Sequence, residues 1–247
     1  MGVVKIIRGK KDSNSFFVES NYGLLLFDTG AATTQLLQSD LTKALSKVHT
    51  KDGHGVLGSK TQDCVVVEEL CIGDIVAKDL QVTLDDSVGL LGIDVLKNYA
   101  FTFDTQEDEV ILVKPFVSDI PCKMGLRGHI YVEIEIGGKT CLALIDTGAS
   151  CSIIDETFFR EVNDNIPDGR TEMGEDWTGA TFETKIVPVD SLTIGDIRFP
   201  QHKFVLLDFK QIFPYMEYPI VAIIGASTLS CKKFSFNLID GYLHIEE

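Results

Sequence analysis

The chain carries the same set of short blocks twice, in the same order. Leu24-Leu25-Leu26-Phe27-Asp28-Thr29-Gly30-Ala31 is echoed by Leu142-Ala143-Leu144-Ile145-Asp146-Thr147-Gly148-Ala149. Leu70-Cys71-Ile72-Gly73-Asp74-Ile75 is then matched by Leu192-Thr193-Ile194-Gly195-Asp196-Ile197. Leu90-Leu91-Gly92 pairs with Ile223-Ile224-Gly225, and Phe101-Thr102-Phe103-Asp104 with Phe234-Ser235-Phe236-Asn237. The offset between copies widens along the chain, so insertions fall between blocks and not within them. Two copies are too few for a stacked array. The expectation is two similar lobes, 1–118 and 119–247, with a polar connector between Pro115 and Pro121.

The local patterns read as β-structure. Ile130 to Ile136 alternates apolar and polar and ends in Gly137-Gly138, a strand running into a hairpin turn. Cys64 to Glu69 reads as a Val-rich strand, and Gly73-Asp74 and Gly195-Asp196 as matched turns. Short helices are expected at Ile93 to Tyr99 and Ala226 to Cys231. Asp40 to Val48 is a further helix candidate, with Leu41, Ala44, Leu45 and Val48 on one face. Glu107-Asp108-Glu109 reads as a solvated hairpin tip.

The chemistry-bearing residues are Asp28 and Asp146. Each follows an apolar strand and opens Thr-Gly-Ala. Glycine permits a tight turn and leaves its N–H unobstructed, so the carboxylate is presented at the strand end. Thr29 and Thr147 can hydrogen-bond between the two loops. Two carboxylates about 3 Å apart in a low-dielectric cleft cannot both ionise and share one proton. One then acts as base toward water while the other acts as acid toward a carbonyl. No histidine is placed to make a nucleophile triad with Ser150, Cys151 or Ser152. Asp94 and Asp104 read as structural.

Asp-Thr-Gly-Ala, followed by two apolar residues and Gly before a short helix, resembles the retropepsin-like aspartic peptidases. Retroviral members supply one copy per subunit, whereas pepsins carry both in a longer chain. The sequence is similar to two retropepsin-sized halves fused head to tail. The resemblance implies an all-β fold of two β-barrel-like lobes with a cleft between them. It implies an aspartic endopeptidase with Asp28 and Asp146 as the catalytic pair, and Thr29, Gly30, Thr147 and Gly148 supporting the loops. It further implies that Ala31, Ala149, Leu90, Leu91, Ile223 and Ile224 line substrate pockets.

Flap candidates are Lys51-Asp52-Gly53-His54-Gly55-Val56-Leu57-Gly58 and Gly174-Glu175-Asp176-Trp177-Thr178-Gly179-Ala180. Gly53, Gly55, Trp177 and Gly179 are the substrate-facing candidates in them. The two segments differ, so an asymmetric cover is expected. Trp177 reads equally as a flap tip or as core packing, and His54 as solvent-exposed. Alanine at positions 31 and 149, where many pepsins have a hydroxyl, implies a rate maximum at roughly pH 4–6.

Composition bounds the alternatives. With 247 residues the chain can bury a sizeable core. A formal net charge of −15 opposes binding to nucleic acid, and the only basic clusters are the pairs Lys10-Lys11 and Lys232-Lys233. No run is long and apolar enough to span a membrane. Met1 to Arg8 does not read as a signal peptide, and Ile6 disfavours lipidation at Gly2. The residues before Asp28 are expected to form the first hairpin, with no inhibitory pro-segment.

Six scattered cysteines without a CxxC are expected to be reduced thiols in a cytoplasmic protein. No metal or other cofactor is implied. The expected partner is an extended peptide or protein substrate, bound by a monomer. The alternative is a non-catalytic peptide-binding or homodimeric scaffold protein retaining the same fold.

Overall fold

The computed structural model describes residues 2–8, 14–163, 166, 171–212, 214 and 216–246. Met1, Lys10 and Lys11 lie outside them. Strands dominate, and the two sequence copies follow one path. In the first, the strand order is Phe16–Ser20, Gly23–Phe27, Leu90–Leu91, Gln35–Leu37, Ile75–Asp85, Ser59–Ile72, Lys47–His54. In the second it is Ile130–Ile136, Lys139–Ile145, Ala222–Ile224, Ser152–Asp155, His202–Leu207, Thr181–Val189, Thr171–Glu175. Strand directions agree as well. Gly23–Phe27 runs parallel to Leu90–Leu91, and Lys139–Ile145 to Ala222–Ile224. Gln35–Leu37 runs parallel to Ile75–Asp85, and Ser152–Asp155 to His202–Leu207.

Turn chemistry sets these registers. Gly137 and Gly138 adopt φ of 59° and 75°, the left-handed pair that closes a two-residue hairpin. Gly73 and Gly195, at φ 55° and 58°, close the matched turns between Ile72 and Ile75 and between Ile194 and Ile197.

The halves are stitched by a shared antiparallel sheet. Ala100–Asp104 pairs directly with Lys233–Asn237, with Phe101 opposite Phe236, Thr102 opposite Ser235 and Phe103 opposite Phe234. The Thr102 and Ser235 hydroxyls share a 2.6 Å hydrogen bond at this junction. Val3–Lys5, Glu109–Val113, Tyr242–Glu246 and Ile120–Met124 complete the sheet. The expected connector between Pro115 and Pro121 thus already enters the strand Ile120–Met124. Behind the junction lies a phenylalanine cluster in which Phe27 meets Phe101 and Phe103 at 4.9 Å, and Phe103 stacks on Phe234 at 4.7 Å. Each such pair adds about 0.5–1.5 kcal/mol beyond the area it buries.

The helices are short. Ile93–Leu96 and Ala226–Leu229 fall within the expected segments. Asp40–Lys43 is helical, capped by Ser39 and Thr42, but the expected continuation to Val48 does not occur. From Lys47 the chain becomes a hairpin strand paired with Ser59–Ile72, because cross-strand bonds replace a helix face that had little to pack on. Glu156–Val162 is a helix that the sequence reading missed. Asp155 caps it by accepting from Phe158 N at 3.0 Å, and Phe158 and Phe159 bury its inner face. Asp108 forms the expected hairpin tip at φ 54°.

Candidate active site

Strand alternation decides where the two acids point. Leu25 and Phe27 enter the main core, so Leu26 and Asp28 face the other way. Ala143 and Ile145 enter the same core, which turns Leu144 and Asp146 outward. Beyond each strand the loop folds back on its own carboxyl. Asp28 Oδ1 accepts from Gly30 N at 2.8 Å and Ala31 N at 2.9 Å. Asp146 Oδ1 accepts from Gly148 N at 2.9 Å and Ala149 N at 3.1 Å.

The loops interlock. Thr29 N donates to Thr147 Oγ1 and Thr147 N to Thr29 Oγ1, both at 3.1 Å. The Thr29 hydroxyl donates to Ile145 O at 2.9 Å and the Thr147 hydroxyl to Phe27 O at 2.6 Å. Both threonines are fully buried. The arrangement seats each carboxyl against the opposite loop, Asp146 against Gly30 and Asp28 against Gly148, so the two acids lie close enough to influence each other.

Burial, and then the charge of Asp146, push the Asp28 carboxyl well above the usual carboxylate range. Burial raises Asp146 as well, against the pull of the Ala149 amide and the hydrogen bond from Asp28. Both shifts favour the protonated form, so the pair resists carrying two charges at once.

The crossing segments lock the loops from behind. Asp28 N donates to Leu91 O and Asp146 N to Ile224 O, each at 3.0 Å. Ile93 N reaches Ala31 O, and Ala226 N reaches Ala149 O, each at 2.8 Å. A Cβ at Gly92 would lie 2.7 Å from the Thr33 carbonyl carbon, and one at Gly225 2.4 Å from Cys151 O. Backbone passes too closely there for a side chain. Leu90 and Ile223 share the face of the acids. Leu91 and Ile224, expected to line pockets, are instead fully buried in the main core, because neighbouring strand residues point to opposite faces.

Both flap candidates are hairpin tips, and they meet. Asp176 Oδ2 accepts from Leu57 N at 2.9 Å and Gly58 N at 3.0 Å on the opposite hairpin. Its Oδ1 accepts from the Thr178 hydroxyl at 2.5 Å, Thr178 N at 2.9 Å and Ala180 N at 3.2 Å. Trp177 Nε1 donates to His54 O at 3.4 Å. Gly53 and Gly55 are needed for this contact. A methyl at Gly53 would lie 2.6 Å from the Trp177 ring, and one at Gly55 2.4 Å from Asp176 Oδ2. Gly179 closes the second tip at φ 85°. Trp177 thus packs in the contact between the two hairpin tips and not in the core.

Two residues of the site were not legible in the sequence. Asp176 was only one acid in an acidic loop, and two of its five donors, Leu57 N and Gly58 N, reach it only through tertiary contact. His129 precedes the strand Ile130–Ile136 in no recognisable pattern. It donates from Nε2 to Gly30 O at 3.0 Å, across the halves, with its ring buried and Nδ1 unpartnered among the described residues. Burial lowers its pKa. Asp94 proves structural, accepting from Thr34 N at 2.9 Å and the Thr34 hydroxyl at 2.6 Å. Ser152 is likewise internal, bonded to the Thr228 hydroxyl at 2.7 Å.

Among the described residues, no group of three or more His, Cys, Asp or Glu side chains could hold a metal ion, and no helix is long and apolar enough to cross a membrane. The cysteines are free thiols. Residues 132–228 match the family model described as aspartyl protease. The matched stretch contains Asp146-Thr147-Gly148, the second hairpin and Gly225, whereas Asp28 lies outside it. No curated protein matches the chain.

Proposed function

We propose that the chain is an aspartic endopeptidase of the retropepsin-like kind, with Asp28 and Asp146 as its catalytic pair. The observation that carries this reading is the pair of carboxyls seated against each other's loops, which Thr29 and Thr147 interlock. The repeated strand path supports two fused halves, 1–118 and 119–247, as lobes either side of a cleft. The two joined hairpins would be its cover.

In this mechanism the ionised carboxylate takes a proton from a water while the protonated partner donates to the scissile carbonyl oxygen. The water oxygen bonds to the carbonyl carbon, giving a tetrahedral diol. Proton transfer to the amide nitrogen then lets the C–N bond break, releasing acid and amine and restoring the one-proton pair. The Gly30, Ala31, Gly148 and Ala149 amides fix both carboxyls in advance, so little reorganisation accompanies the proton transfers.

Ala31, Ala149, Leu90 and Ile223 would meet the substrate beside the acids, with Gly53, Gly55, Trp177 and Gly179 above it. The substrate is an extended peptide, paired to the hairpins in strand fashion. Both acids lie in one chain, so a monomer suffices and activity per molecule should not fall on dilution. The cysteine usage and acidity favour a cytoplasmic protein that does not bind nucleic acid. Purified protein incubated with a mixed peptide library should cut it, and Asp28→Asn and Asp146→Asn should each abolish cutting. Peptide capture without cleavage by the parent chain would instead support the binding-module alternative.

A further inference from the structure

The face that carries the acids is built from unlike residues in the two halves. In the second half it is an apolar wall. Leu144 pairs with Ile223, Ile223 with Ile153, and Ile153 with Val205, all in one buried cluster. Phe182 and Ile186 pack against that cluster, as does Val56 from the tip of the first hairpin. The hairpin therefore covers this wall. The connection 208–221 extends it with Phe209, Ile212 and Ile220, and seats Tyr218 on Tyr131 at 5.0 Å. The corresponding connection of the first half is only 86–89.

The register gives the matching positions of the first half. Leu26 pairs with Leu90, Leu90 with Gln35, and Gln35 with Thr83. Gln35 thus stands where the second half has Ile153, and Thr83 where it has Val205. One step further along the same face Asp85 replaces Leu207 and Gln62 replaces Thr184, and a step beyond that Lys60 replaces Phe182. Gln35, Asp85 and Lys60 join Gln62 in a connected polar network. Gln35 Nε2 donates to Val88 O at 2.7 Å, and Gln62 Nε2 donates to Gln35 Oε1 and to Asp85 Oδ2, the latter at 3.1 Å. Lys60 reaches Asp85 at 2.9 Å and Asp86 at 2.5 Å, at the end of the wall open to solvent. A Cβ at Gly53 would lie within 3.1 Å of Gln62 Oε1 and within 2.6 Å of Trp177, so the hairpin tips cover this wall as well.

We infer that the cleft takes chemically unlike residues on the two sides of the bond it holds. A large apolar side chain faces the second half, and an amide- or hydroxyl-bearing one faces the first. This rests on the peptide-cleft reading above and names its substrate class. An apolar wall gains from burying apolar area, whereas an apolar side chain set against amides and charges leaves their remaining hydrogen-bonding capacity unmet and is disfavoured by about tenfold or more.

The test is affinity selection from a randomised peptide library with intact Asp28→Asn protein, beside mapping of the sites cut by the parent chain. Expected is one subsite enriched in Leu, Ile, Phe or Met and its counterpart enriched about tenfold in Asn, Gln, Ser or Thr. Gln35→Met should shift the second subsite alone toward apolar residues. Lys60→Met, at a partly exposed position at the solvent end of the wall, should do the same. Apolar preference on both sides, no selection, or a profile unmoved by the folded Lys60→Met protein would overturn the inference. Asymmetric selection without cutting would support it while sinking the peptidase reading. Cutting with a symmetric profile would do the reverse.

Discussion

Gly30 is seated against the carboxyl of Asp146, the acid of the opposite loop. A methyl group at Gly30 would stand 2.4 Å from Asp146 Cγ, and one at Gly148 2.2 Å from Asp28 Cγ. Each half thus leaves room for the acid of the other. The threonine interlock prevents either loop from retreating. Gly30→Ala and Gly148→Ala should each cost about 1–3 kcal/mol in chemical denaturation, as overpacking does. Displacing the acids by a fraction of an ångström should lower cleavage about a hundredfold. Parent-like rates in both variants would show that the close approach is not needed.

The threonine interlock gives a second test. Thr147 Oγ1 accepts from Thr29 N and donates to Phe27 O, all fully buried. Thr147→Val keeps the shape but strands both partners, at about 1–3 kcal/mol for each group left unpaired. Thr147→Ser keeps the hydroxyl and should cost far less. Urea titrations of the two variants should differ accordingly, and equal midpoints would refute the role of the hydroxyl.

The acid pair makes stability and rate depend on pH. A carboxyl whose folded pKa is raised contributes stability that is fully present below its unfolded pKa of about 3.9 and lost as pH rises through the folded value. Asp28→Asn removes this loss. Its melting temperature should exceed the parent's near pH 7, with the difference vanishing toward pH 4. A constant difference across that range would contradict a shared proton. For the parent's rate, the alkaline limb marks loss of the pair's last proton. Ala31→Ser with Ala149→Ser adds hydroxyl donors that favour the charged form and should move the profile toward acid.

Asp176 obeys the opposite sign. Burial alone would raise its pKa, but the Thr178 hydroxyl and the Leu57, Gly58 and Thr178 amides outweigh that and lower it. Its contribution is present above about pH 3.9 and lost as pH falls through the folded value. Part of the contact faces solvent, so about 1 kcal/mol is expected for the latch. Asp176→Ala should lower hydrogen-exchange protection of the Leu57 and Gly58 amides about fivefold at neutral pH. Unchanged protection would show that the hairpins meet without it.

Much of this architecture is written locally. Apolar strands ending in Asp-Thr-Gly, paired glycine turns and the Gly-plus-helix blocks are patterns of neighbouring residues, so the order of elements and the two acids could be read from the chain. The helix Glu156–Val162 escaped because its polar first turn hides a cap, and Asp40–Val48 misled because hairpin pairing overrode a weak helical face. Which of Leu90 and Leu91 faces the acids needed the strand register, since alternation names two faces but not which one is the core. The latch at Asp176, the His129 bond to Gly30 and the polar wall around Gln35 were decided by tertiary structure alone. Each joins residues from distant segments, and no spacing along the chain encodes a meeting between two hairpin tips or two halves.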